Sequence, residues 1–223
     1  MAIINIKSKE RKPAALLFFM FFSIVSATIT GASVRDAVFL TQFDKSYLPV
    51  MFITIAVVMA GVIALYKKLT AGQDQIFVIS ISGALFSVSL FLLQSNLSGL
   101  FIPVLYIWME VVTILSIFQF WILAGEIFNA RQAKRIFTLL GAGGSFARMG
   151  AGYGIKPFVS TFGSENLLFL TIFFIGLSVV MAQMLRPFRM PHKPKKGNSK
   201  PVAKSKTEFE PYLKSIALLI GLA

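Results

Sequence analysis

Six stretches of this chain are each about as long as a bilayer is thick and almost wholly apolar, and that decides the fold class. A hydrocarbon core of roughly 30 Å takes about 20 helical residues to cross. A backbone placed there must satisfy its own N–H and C=O groups, which single segments do only as helices. The stretches are 13–33, 48–66, 76–95, 100–124, 136–159 and 167–185. A seventh apolar run opens at Tyr212 and reaches Ala223, about half the length a span requires. Charged residues make up 14% of the chain, against about 25% in a soluble domain. The sequence therefore predicts an all-α, polytopic membrane helix bundle: six transmembrane helices plus the start of a seventh.

Lysine and arginine orient such a bundle, because they are retained on the cytoplasmic side. Four precede the first helix (Lys7, Lys9, Arg11, Lys12), Lys67 and Lys68 follow the second, and Arg131, Lys134 and Arg135 follow the fourth. The connection 186–214 holds nine of the 22 basic residues, whereas 96–99 carries no charge. The alternation predicts a multi-pass membrane protein with its N-terminus in the cytoplasm. The net charge of +13 is then topogenic and headgroup-facing, and no nucleic-acid partner is expected. Four parts follow: a cytoplasmic tail 1–12, a six-helix bundle 13–188, a basic linker 189–210 rich in Lys, Pro, Gly and Ser, and a truncated seventh helix 211–223. The truncation reads as a fragment that needs a missing C-terminal half or a dimer partner.

Charges inside the apolar stretches are the candidate functional residues. A charge at helix centre costs about 2.5–3.5 kcal/mol on insertion scales, so it is placed toward a bundle interior or a water-filled path. Arg35 and Asp36 stand at the end of the first stretch, where the helix either continues to Leu40 or breaks and restarts. The pair reads either as a cation facing a cavity, with Asp36 as local partner, or as a snorkelling Arg at the outer boundary. Glu110 lies deep in the fourth stretch, where a carboxyl must find a cation on another helix or a packing hydrogen bond. Gln119, further along the same helix, is a candidate for lining the same cavity.

The fifth stretch is rich in small residues. The pairs Gly141/Ser145, Ala147/Ala151 and Gly150/Gly154 are spaced for close helix approach, with Arg148 interrupting them. The Gly-X-Gly within it lacks the preceding strand and the GxGxxG spacing of a dinucleotide site. Pro157 is expected to bend or end that helix. Arg131, Lys134 and Arg135 at the cytoplasmic junction are candidates for a gate, for pairing with Glu126, or for headgroup contact. The chain has no cysteine and one histidine, His192 in the basic loop. No metal, cofactor or enzymatic nucleophile is therefore expected.

The stretch Trp121…Phe128-Asn129…Ala133-Lys134-Arg135-Ile-Phe-Thr-Leu-Leu-Gly141 resembles the signature that joins helices four and five in the ATP/ADP translocases of plastids and obligate intracellular bacteria. Arg35-Asp36 is similar to the Lys-Asp pair after helix one of that family, and Trp108-Met109-Glu110 to its Met-Ala-Glu segment. The resemblance runs in order through most of residues 30–160. It implies the N-terminal half of a divergent bacterial transporter related to the major facilitators, and an anionic, phosphorylated substrate such as a nucleotide. Arg35, Asp36, Glu110, Arg148 and Gln119 would lie on the substrate path, by antiport or proton coupling. Arg in place of the family's Lys adds bidentate phosphate binding. The alternative reading is a non-transporting sensor or anchor that holds a soluble domain at the membrane.

Overall fold

A computed structural model describes residues 8–95 and 99–189; the truncated seventh helix and nearly all of the basic linker lie outside them. Six helices follow one another: α1 (Ser8–Gln42), α2 (Leu48–Thr70), α3 (Gln75–Gln94), α4 (Phe101–Ile127), α5 (Ala130–Phe162) and α6 (Leu167–Met184). No strand occurs among the described residues. Five of the helices are long and apolar enough to cross a membrane, and the protein is a membrane-embedded helical bundle. The exception is α5. Its 33 residues are ample, but glycines, Arg148 and Lys156 keep it from being apolar throughout.

Several boundaries differ from the sequence reading for identifiable reasons. Helix α1 does not break at Ser33–Arg35. It runs to Gln42, so Arg35 lies seven residues, about 10 Å at 1.5 Å per residue, inside the helix end. Helix α5 starts at Ala130, before the apolar run, because Asn129 and Gln132 form a capping box. Arg131, Lys134 and Arg135 are thus in its first turns and not in a loop. Pro157 lies inside α5, which does not end there but continues to Phe162, the proline supplying no backbone donor.

Helix α1 is the hub. It packs on α4, α5 and α6, while α4 packs on α1, α2 and α3, and α3 also meets α6. Exchanging the first three helices for the last three leaves these principal pairings unchanged: α1·α5 becomes α4·α2, α1·α6 becomes α4·α3, and the other two map onto themselves. Helices α1 and α4 run antiparallel, since Phe39 meets Tyr106 (4.8 Å between ring centroids) and Phe21 stacks on Phe120 (4.7 Å).

Small residues decide how closely α1 is approached, and of those the spacing suggested only Ala147, 1% exposed, is buried. On α5 it is Gly143 and Gly144 that face α1. A Cβ at Gly143 would lie 3.1 Å from the Phe18 carbonyl oxygen, and one at Gly144 would lie 2.9 Å from the Phe21 ring. Gly141, Gly150 and Gly154 face nothing within 4 Å. In the interior, hydroxyls return to their own helix: Ser23 donates to the Phe19 carbonyl (2.8 Å) and Thr171 to that of Leu167 (3.0 Å). Thr30 and Thr171 also bond each other across α1 and α6 at 2.9 Å. Such bonds satisfy these hydroxyls inside the bundle.

Candidate functional site

Unbroken α1 and antiparallel α4 bring Arg35 and Glu110 to the same level. Arg35 Nη1 donates to Glu110 Oε2 at 2.5 Å and Arg35 Nε to Asp36 Oδ1 at 2.9 Å. The guanidinium carbon also lies 4.5 Å from the centroid of the Tyr106 ring, within cation–π reach. One cation is thus held by two carboxylates and an aromatic face. The Arg35 side chain is 14% exposed, Glu110 31% and Asp36 51%. The acids therefore open onto the bundle surface, while the guanidinium sits beneath them. Tyr106 carries no charge and lies among apolar neighbours in the sequence, so only the four-residue offset from Glu110 marked its face.

The surface they open onto continues along α4. Glu110, Ile114, Phe118 and Trp121 follow at helical spacing and are only partly covered; Phe118 is 50% exposed and Trp121 38%. Beside α1, the exposed side of α5 carries Arg148 and Lys156. Together with Ile29 and Ala151 they line an open cavity of about 600 Å³. Arg148 is exposed and makes no ion pair among the described residues. It does not join the Arg35 cluster. Lys156, next to Pro157, shares its cavity.

Gln119 is not beside Glu110. Nine residues at 100° each turn the helix through two and a half revolutions, which puts it on the opposite side of α4. There it is 3% exposed, near α3: Ser82 Oγ lies 3.0 Å from its Oε1, and Gln75 donates to its carbonyl at 3.3 Å.

The end of the bundle that carries the N-terminal tail is tied by ions the sequence did not pair. Arg189 bridges Asp74, the N-cap of α3, and Glu126 at the end of α4, the latter at 2.8 Å. It joins three helices, although sequence composition assigned it to the linker. Glu126 is thereby engaged by Arg189. Arg135 lies 3.9 Å from Glu10 on α1, which also accepts from Gln132 at 2.7 Å. Of the gate candidates, the side chains of Arg131 and Lys134 lie outside the described residues. Partial burial pushes the Asp74 carboxyl up, but the Ile76 N–H and the Arg189 and Arg186 cations outweigh it and hold it below its ordinary 3.8.

No family model, curated protein or solved structure matches the chain. No group of acidic or histidine side chains with metal-binding geometry occurs among the described residues.

Proposed function

We propose that this chain is the first half of a secondary transporter of the major facilitator kind, moving an anionic, phosphorylated solute across the bacterial cytoplasmic membrane. Its N-terminus lies in the cytoplasm. The observation that carries the proposal is the face shared by α1, α4 and α5. A carboxylate pair over a guanidinium, and two further cations on α5, stand on the outside of helices that otherwise suit lipid. Lipid contact would leave Arg148, Lys156 and the second carboxylate of the Arg35 cluster uncompensated, so the face is turned to a water-filled path between two bodies.

Two features support the reading. The pairing of helices is preserved when the first three are exchanged for the last three, the arrangement inverted-repeat transporters show. The fifth helix, less apolar than its neighbours, suits a path lining better than a lipid boundary. In the proposed cycle, phosphate oxygens meet Arg148 and Lys156 in the open cavity. They then compete with Glu110 and Asp36 for Arg35, and the freed carboxylates carry the coupling. The resemblance to the ATP/ADP translocases favours a nucleotide among such anions.

Uptake into proteoliposomes by the whole gene product tests this, with a panel of labelled nucleotides and phosphorylated metabolites. Saturable uptake of at least one anion, lost in Arg35→Ala and in Glu110→Gln while both variants remain folded, is the expected result. No uptake of any anion by wild type, or unchanged uptake in both variants, would remove the proposal.

A further inference from the structure

Between α1, α3, α4 and α6 the interior holds two small cavities that share a wall. Thr28, Thr113, Ser116 and Ser178 supply the polar lining of the first; Ser82, Ser116, Gln119 and Ser178 supply that of the second. Ser116 and Ser178 belong to both, as do Ile24 and Ile175, so the cavities lie end to end. Each gives the centre of a water-sized sphere about 10 Å³, close to the room one molecule needs.

The hydrogen-bond accounting around them is incomplete within the protein. Thr28 donates to the Ile24 carbonyl at 2.9 Å and Ser178 to that of Ile175 at 2.7 Å, which leaves both oxygens as acceptors. Gln119 is 3% exposed, and its Nε2 has no partner among the described residues. Thr113 and Ser116 are half-buried, and their hydroxyls make no hydrogen bond among the described residues either. Ser82 has one hydroxyl hydrogen for two nearby acceptors, Gln119 Oε1 at 3.0 Å and the Ile79 carbonyl at 3.1 Å. The Tyr66 hydroxyl, likewise without a partner in good geometry, is the other side-chain group beside the Gln119 amide. Buried donors and acceptors left without partners are costly.

We propose that these cavities bind a pair of water molecules, with Gln119, Ser116 and Thr113 as their principal anchors and Thr28 and Ser178 as acceptors. Water suits the lining because it both donates and accepts, and a buried water makes two to four such bonds. A cation does not suit it, since no carboxylate lines either cavity and a buried charge needs a partner. An apolar occupant would leave the unpaired groups unmet. Thr113 is one turn of α4 from Glu110, and the Gln119 carbonyl is bonded by Gln75 at the start of α3. The pair thus continues the polar contacts from just below the Arg35 cluster to the α3 terminus, and α4 is linked to α1, α3 and α6 through water. This inference rests on the interior geometry and not on the transport reading.

Radiolytic footprinting tests it, since X-ray pulses turn bound water into hydroxyl radicals that oxidise the side chains beside it. Met109 lines the first cavity and Met20 the second, and both are 1% exposed; Met59, 6% exposed, lines neither. In the whole protein in lipid nanodiscs, Met20 and Met109 should oxidise several-fold faster than Met59. The Ser116→Val/Gln119→Leu variant should bring both down to the Met59 rate. Thr113→Val, the milder change, should slow Met109 and leave Met20 fast, which keeps the test available if the double variant fails to fold. Wild-type Met20 and Met109 oxidising no faster than Met59 would overturn the proposal. So would rates unchanged in folded variants.

Discussion

Arg35 is shared by Glu110, Asp36 and the Tyr106 ring, so its neighbours are coupled and their deletions should not add. In a double-mutant cycle of Arg35→Gln and Glu110→Gln, read by denaturant unfolding in mixed micelles, a coupling of about 1–2 kcal/mol is expected, within the range for contacting residues. The double variant should be more stable than the sum of the singles predicts; strict additivity would show the pair to be solvated and uncoupled. Asp74 gives a pH prediction. Its folded value lies below 3.8, so its contribution is complete above the unfolded value and is lost as pH falls through the folded one. Wild type should exceed Asp74→Asn in stability at neutral pH, with the gap closing below about pH 4. A gap that widens on acidification would reverse the assignment. Arg35 and Glu110 were legible because charge stands out in apolar sequence. The company they keep was not, and Gln119 was misplaced because linear distance along a helix conceals the turn of its face.

At the scale of elements, the sequence marks the existence of all six helices and misjudges where two of them begin or end. Apolar length shows where a helix is lipid-compatible, not where hydrogen bonding starts. Capping chemistry at Asn129 and Gln132 begins α5 ahead of its apolar run, and in α1 the charges Arg35 and Asp36 interrupt an apolar pattern that the helix carries on through Leu40. Asn129→Ala should cost about 0.5–2 kcal/mol, the usual loss for an N-cap, and should loosen the Glu10 contacts of α5. Amide exchange confined to the first turns of α5 is the measurement. Close approach of α1 and α5 depends on Gly143 and Gly144, so Gly144→Leu should destabilise by about 1–3 kcal/mol through overpacking. The same change at Gly150, which faces open space, should be near neutral in the same unfolding assay.

For the whole molecule, the account is that the α1–α4–α5 face borders an aqueous path for an anion. The apolar segments made the bundle readable from sequence. The open face was not readable, because it depends on which side of each helix the charges occupy once the six are packed. The sequence has no cysteine, so single cysteines can be placed without removing any. Labelling of Gly152→Cys and Asp36→Cys in sealed cells with a membrane-impermeant thiol reagent, with Ile53→Cys on the exposed apolar side of α2 as reference, reads the claim directly. Gly152→Cys and Asp36→Cys should react readily and be protected by a transported phosphorylated anion, while Ile53→Cys stays unlabelled. Resistance of both face positions to the impermeant reagent, with reaction toward a lipid-soluble one, would mean that the face meets lipid and that the account is wrong.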